Sequence, residues 1–355
     1  MTPHDRVERA LRGGHSDRVP FTIYECMIPQ CDTERALRDR GMCIVNRLPV
    51  FRIHRPHVKT TEHTWWVDGC RFTRTEHETP VGKLNTLVED GGFTTWRHQL
   101  LLKRPEDYAA IRFFLSDEVY EPDYGEFARV QTAGAGDMIC RANFGLEPLQ
   151  ELISGGVMSM ERFCEEWMER REEVLALYEI LVENRRRIYP IVAASPAGHA
   201  NYGGNVTPEI IGPRVFEEYY LPHYAEAAEV MHRHDKLIGC HFDANNRIIA
   251  AAIARTPLDY IEAFTPAPDT DMTLAEARAA WPDKVLWINY PSSVHLENDA
   301  VVAQTAHDLL DQAGGVDGLL VGITENMPPQ RWENSCRAIM DGLNRHARVN
   351  PCLYN

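Results

Sequence analysis

No run of about 18 consecutive apolar residues occurs in the chain, so no transmembrane helix and no membrane partner is expected. Basic residues are in deficit. Lys and Arg number 37 against 52 Asp and Glu, a formal net charge of −15, and a nucleic-acid partner would want a basic face instead. An apolar leader is missing too: the chain opens on charged residues, and no signal peptide is expected. The nine cysteines (positions 26, 31, 43, 70, 140, 164, 240, 336 and 352) include no Cys-x-x-Cys pair, and their number is odd. In a chain this long, that pattern reads as reduced thiols in a cytoplasmic protein rather than a disulfide framework. No Gly-, Ser- or Pro-rich linker divides the 355 residues, and one domain spanning 1–355 is expected.

The composition that remains, 44% hydrophobic and 25% charged, is that of an ordinary globular protein. The stretch that organises the chain is Leu237-Ile-Gly-Cys-His-Phe-Asp-Ala-Asn245. Its apolar start reads as a short strand. His241 and Asp243 follow at the carboxyl end, two residues apart, and alternation lets both point the same way. A helical run, 247–254, comes straight after. A strand that ends in ligand-type side chains and hands over to a helix is how an α/β barrel builds its active face.

The same alternation continues to the end of the chain. Strands are expected at 189–194, 258–264, 284–289 and 317–325. Helices are expected at 213–234, from the capping box Thr273-Leu-Ala-Glu276, at 300–313 and at 329–347. Earlier, Thr2-Pro-His-Asp5 starts a helix, Phe21-Thr-Ile-Tyr-Glu25 reads as a first strand ending in a carboxylate, and 137–144 as another strand. Residues 58–93 form a β-rich insertion with a hairpin signal at Asp68-Gly69, its Trp65-Trp66 pair expected to pack beneath it. A long helical pattern over 159–187 carries the apolar stripe Phe163, Trp167, Val174, Leu177, Ile180 and Leu181, expected in a core. These readings predict an α/β (β/α)8 TIM barrel with an N-terminal extension and a β-hairpin insertion.

Several stretches together resemble the uroporphyrinogen decarboxylase superfamily. They are Met1-Thr-Pro-His-Asp-Arg-Val-Glu-Arg-Ala-Leu-Arg-Gly13 with Asp17-Arg-Val-Pro20, then Thr79-Pro-Val-Gly82, and Gly204-Asn-Val-Thr-Pro-Glu209 followed by Phe216-Glu-Glu-Tyr-Tyr-Leu-Pro-His-Tyr224. The likeness covers nearly the whole chain in order, and it implies a (β/α)8 barrel. It also implies one of two chemistries. The decarboxylases carry an arginine-rich loop after the first strand. Here that place reads Tyr24-Glu-Cys-Met-Ile-Pro-Gln-Cys-Asp-Thr-Glu34, without arginine and with extra acids that would repel a polycarboxylate. The corrinoid-dependent methyltransferases often bind zinc through a His-x-Cys pair and a later Cys. Here those places read His241-Phe-Asp243 and Gly322-Ile-Thr-Glu325. Carboxylates in place of thiolates keep the metal more electrophilic, which suits polarising an ether oxygen.

The resemblance thus implies a cytoplasmic methyltransferase moving a methyl group from a small O-methylated donor, such as a methoxylated aromatic, to a cobalamin-type corrinoid on a partner protein. It leaves the oligomeric state open. His241, Asp243 and Glu325 would hold zinc, and Glu25 and Glu325 would act catalytically. His199, Asn201, Tyr202 and Asn205, in a Gly-broken polar loop, and Asn289, at a strand end, would shape the substrate pocket. Each residue has a plainer reading. His241 serves equally as a hydrogen-bonding pocket residue or a buried structural histidine, and Asp243 as an Asx turn or helix cap. Glu325 serves as a carboxylate on the dipole of the following helix, and Glu25 as a surface glutamate. Cys240 should face away from His241, into the core. The rival functions are a decarboxylase and a catalytically silent barrel that only binds a corrinoid protein.

Overall fold

The computed structural model describes residues 1–92, 94–134 and 136–349. They divide into two compact units: 1–50 with 123–145 and 192–355, and 51–122 with 146–191. The insertion expected at 58–93 lies within the second unit. The second unit takes in more sequence on both sides of that insertion, and the four crossings between units lack a linker composition that would mark them.

The first unit is a closed barrel of eight parallel strands: β1 Phe21–Tyr24, β2 Met42–Arg47, β3 Met138–Asn143, β4 His199–Asn201, β5 Leu237–His241, β6 Tyr260–Phe264, β7 Val285–Asn289 and β8 Leu319–Ile323. Neighbours follow chain order around the ring, and β8 closes on β1 with Phe21 opposite Val321. The strands β6, β7 and β8 are buried along their whole length. That is why they read as near-continuous apolar runs: a parallel strand covered on both faces has no solvent side to alternate with. Helices Asp32–Asp39, Gly125–Ala133, Pro208–Tyr219, Leu221–His232, Ala250–Ala254, Leu274–Ala280, Asp299–Ala313 and Trp332–Val349 belong to the chain between and after these strands. The Thr273–Glu276 capping box forms as the sequence implies.

The N-terminal helix, Pro3–Leu11, starts from a capping box between Thr2 and Asp5. Its Val7, Ala10 and Leu11 join Tyr24, Cys43, Val45, Ile139, Tyr260, Val285, Trp287 and Leu320 in one buried cluster. The His4 amide donates to Gly136, just before β3, at 3.1 Å, so the helix lies over the amino ends of the strands. The barrel interior is filled, not open. Trp287 donates its indole N–H to Thr22 Oγ1 at 2.9 Å. A Cβ on Gly322 would stand 2.9 Å from that hydroxyl and 3.1 Å from the indole nitrogen, and one on Gly239 would stand 2.1 Å from the Tyr260 ring. Only hydrogen at those two positions leaves room for the aromatic filling.

The second unit carries a four-stranded antiparallel sheet, Lys59–Val67, Cys70–Thr79, Gly82–Asp90 and Thr95–Gln99, and a two-stranded one, Phe51–His54 with Val119–Pro122. The hairpin at Asp68-Gly69 forms with both residues at positive φ (49° and 83°), as a two-residue turn between twisted strands requires. The expected insertion reached to Phe93, which lies outside the described residues; the sheet itself runs on to Gln99. Trp65 and Trp66 do not pack beneath it. Trp66 is 68% exposed and Trp65 is exposed as well, because the whole strand Lys59–Val67 is an exposed edge. Of the stripe, Phe163, Val174, Leu177 and Leu181 are buried as expected while Trp167 and Ile180 are half-buried, and it runs over two helices, Met160–Glu169 and Arg171–Ala194. The latter replaces the strand expected at 189–194. Tyr189-Pro-Ile-Val reads as extended locally, yet the helix runs on through Pro190, a case of tertiary context overriding propensity.

Candidate functional site

Parallel strands of a barrel all deliver their last side chains to one mouth. Here β5 brings His241 there, the turn after it Asp243, and the segment after β8 Glu325. One ligand atom from each lies within 4.8 Å of the others. The three residues named from sequence as metal ligands are thus brought together from strands far apart in the chain.

Beneath them is a residue the sequence reading passed over. Glu262, on β6 directly opposite His241 in register, is fully buried. Its Oε2 accepts His241 Nδ1–H at 2.7 Å and Asn201 Nδ2–H at 3.0 Å. Its Oε1 accepts the Tyr24 hydroxyl and lies 2.9 Å from the Arg141 guanidinium. Arg141, on β3, is 5% exposed and also donates to Tyr24 Oη at 3.2 Å. Tyr260 completes the layer by donating to Asn201 Oδ1 at 2.8 Å. The strand carries a bulge at this point: register shifts between Glu262 and Phe264, with Ala263 at φ 56°. A non-glycine residue in that region costs about 1–2 kcal/mol. Bulges next to active sites re-aim a side chain.

The electrostatics follow from this layering. Burial opposes charge on His241, but Glu262 and Asp243 outweigh it and hold the imidazole pKa up at about 10 in the metal-free protein. Burial likewise opposes charge on Glu262, and Arg141 and His241 outweigh it, holding that carboxyl well below the usual range. Burial, then Glu262, pushes the Tyr24 phenol far up, although Arg141 pulls against them. Glu325 is shifted upward, first by burial and then by repulsion from Asp243, with His241 easing it.

Nε2 of His241 stands 3.4 Å from Asp243 Oδ2 while Nδ1 is committed to Glu262. One nitrogen therefore faces the two mouth carboxylates, and the other is held from behind. A carboxylate–histidine–metal arrangement has this form. One imidazole nitrogen and two carboxylates are a donor set for a borderline divalent cation. The charges also fit one. Arg141 offsets Glu262 inside the barrel, so a cation that displaced the Nε2 proton of His241 would meet the Asp243 and Glu325 carboxylates at the mouth.

The other residues named from sequence are placed differently. Glu25 sits at the rim just past β1, exposed, its carboxylate held by Arg47 at 3.0 and 3.2 Å. Arg47 comes from the end of β2 and stacks over the Tyr24 ring at 3.9 Å, so an arginine does stand beside a first-strand loop that lacks one. Asn201 points inward and serves Glu262, so its role is to support the buried layer. Tyr202, one residue on, faces the opposite way and is fully buried, its ring 5.3 Å from Phe144 and 5.8 Å from Tyr224. The expected pocket contact is corrected to wall packing. Asn205 is exposed with φ 54°, in the loop whose Gly204 passes His241 so closely that a Cβ there would sit 3.1 Å from the histidine Cβ. Asn289 is buried: its Oδ1 accepts the Thr324 amide at 2.9 Å and its Nδ2 donates to Thr265 Oγ1 at 3.3 Å. It ties the segments after β6 and β8 together, which uses the amide groups a substrate would need.

His199 is also corrected. It is the first residue of β4, not part of the loop beyond it, and so lies at the amino end of the barrel, 1% exposed, with Glu8 Oε1 3.6 Å from Nδ1. The polar run hid a strand of three residues, and the side of the barrel depends on which end of that strand a residue occupies. Glu262 and Arg141 had a signal available. Met-Ile-Cys-Arg-Ala-Asn and Tyr-Ile-Glu-Ala-Phe each place one full charge inside an apolar strand, and buried charges come in pairs.

No protein-family model matches the chain, and no curated protein matches it. Among solved structures, two of pneumococcal StrH align with it at 8% identity. A structure of the virulence factor described for N-glycan recognition and hydrolysis covers 97% of this chain and 85% of its own, at a TM-score of 0.38. One of the tandem GH20 catalytic modules of the exo-β-D-N-acetylglucosaminidase covers 92% and 83%, at 0.35. Likeness at that level carries no argument about chemistry.

Proposed function

We propose that the protein is a metal-dependent methyltransferase that moves a methyl group from a small O-methylated donor, such as a methoxylated aromatic, to a corrinoid carried by a partner protein. The observation that carries this reading is the convergence of His241, Asp243 and Glu325 at the barrel mouth, within 4.8 Å of one another. The likeness of the sequence to the corrinoid-dependent branch of the uroporphyrinogen decarboxylase superfamily supplies the reaction class, since fold alone does not fix function.

His241 Nε2, Asp243 and Glu325 would hold the cation, with zinc as the candidate. When bound, it supplies Lewis acidity toward the donor's ether oxygen. The chain's own residues do the rest. Glu262 holds His241 from behind, and the buried Arg141 keeps Glu262 ionised. The Glu25–Arg47 pair borders the site, where Arg47 acts electrostatically on Glu325. Arg47 is engaged by Glu25, which disfavours a polycarboxylate substrate and so a porphyrinogen decarboxylase. No described helix is long and apolar enough to cross a membrane. The described cysteines are free thiols, Cys240 buried among them and Cys352 outside the described residues, and a cytoplasmic location belongs to this proposal.

Elemental analysis of protein purified without chelators, wild type beside His241→Ala, tests the centre. About one zinc per chain, lost in the variant, is expected. Methyl transfer from a panel of methoxylated aromatics to free cob(I)alamin tests the reaction. Absence of both metal and transfer would sink the proposal.

A further inference from the structure

We infer that Glu262 is a positioning residue that keeps a proton on Nδ1 of His241, so that Nε2 is the nitrogen that gives up its proton to a cation at the mouth. This inference rests on the metal reading above and deepens it.

Glu262 is fully buried and lies 2.9 Å from the buried Arg141 guanidinium, a partner that calls for a carboxylate, whose two oxygens can only accept. Oε1 accepts the Tyr24 hydroxyl and is ion-paired with the Arg141 guanidinium, and Oε2 is occupied by Asn201 and His241. Every one of those partners must therefore donate. Arg141 has no acceptor, and Asn201 presents Nδ2 because its Oδ1 is taken by the Tyr260 hydroxyl. The histidine is the only partner with a choice of tautomer, and the carboxylate removes it. The backbone is arranged for this as well. The bulge at Ala263 breaks the register directly after Glu262, and the loop after β4 closes on the other side of His241 through Gly204. Imidazole rotation is limited between them.

The substitution Glu262→Gln then has a specific consequence. Glutamine offers one acceptor and one donor. The Arg141 and Tyr24 donors claim the oxygen, since a cation left facing an NH2 group is the costlier mismatch. The NH2 is turned to His241, whose Nδ1 must now accept. The ring then gives up its Nδ1 proton and keeps the one on Nε2, and the nitrogen facing Asp243 is no longer a ligand.

The test uses the full-length protein, zinc alone as the probe, a chromophoric chelator in competition, and 15N-histidine NMR with His241→Ala to assign the signal. Wild type is expected to bind one zinc with Nδ1 protonated and Nε2 metal-shifted. Glu262→Gln is expected to bind zinc at least about tenfold more weakly, as loss of an outer-shell partner does. In its metal-free form it should show the proton on Nε2, with an unchanged circular dichroism spectrum. A residue that served only to neutralise Arg141 would not switch the tautomer. If wild type binds zinc through Nδ1, or Glu262→Gln binds it within twofold of wild type, the inference is overturned while the metal reading stands. If wild type binds no zinc, the metal reading itself falls, and this inference with it. Should Glu262→Gln not fold, the wild-type nitrogen assignment alone decides.

Discussion

His199 makes the stability of this protein depend on pH in a way that can be isolated. It is 1% exposed at the amino end of the barrel, and neither ring nitrogen has a hydrogen-bond partner among the described residues. The charged groups that face it are Glu8, Arg12 and His4 of the N-terminal helix and Arg141 of β3. Burial dominates and holds its pKa down at about 4, against 6.5 for a free histidine. Glu8 pulls the other way, and Arg141, Arg12 and His4 add to the depression. The unfolded chain therefore binds a proton at this position as pH falls below 6.5, and the folded protein does not until about 4. Stability rises with pH wherever the unfolded state holds more protons, so it must fall as the solution is acidified across that window and level off below it. At about 1.4 kcal/mol per pKa unit, the full drop is about 3 kcal/mol. Urea denaturation at half-unit pH steps, wild type against His199→Leu, measures it. The carboxylates titrate in both proteins and cancel in the difference. The difference curve should be level above pH 7, change by about 3 kcal/mol between 6.5 and 4, and be level again below. A difference curve that varies by less than about 0.5 kcal/mol over the whole range would refute the reasoning, and would mean that the unfolded and folded states protonate His199 alike.

Three further outcomes are expected. Glu325→Gln, at the exposed mouth, should weaken zinc binding at least about tenfold in chelator competition while shifting urea stability by no more than about 0.5 kcal/mol, because it removes a ligand and no packing. Gly239→Ala should destabilise strongly, by about 2 kcal/mol or more on thermal denaturation, since its Cβ would enter the Tyr260 ring at 2.1 Å. Trp66→Ser should leave stability within about 0.5 kcal/mol, as a side chain 68% exposed on an edge strand contributes little to the folded state.

The (β/α)8 architecture was legible because its signal is local and repeated. Apolar runs of four to six residues alternate with amphipathic helices, and capping residues mark the helix starts at Thr2 and Thr273. The organising strand was legible for the same reason, and so were His241, Asp243 and Glu325, which follow the ends of apolar runs. The strand at 189–194 was misread because Pro-Ile-Val looks extended in isolation, while the helix that continues through it is set by its packing. His199 and Tyr202 were misplaced by a strand only three residues long, in which one position decides the end of the barrel and the next decides inside or outside.

By itself, then, the sequence determined the order of elements outside 189–201, the barrel class, and three polar side chains at strand ends, because hydrophobic periodicity and end-capping are properties of neighbours in the chain. What only the tertiary structure decided is which of those side chains meet. His241 and Glu325 are separated by three strands of sequence and brought within a ligand's reach by closure of the ring. Glu262, Arg141, Asn201 and Tyr24 come from four different strands to one buried layer. Hydrogen-bond direction within that layer is settled by burial, which leaves no water to satisfy a wrong partner. No pattern along the chain encodes it.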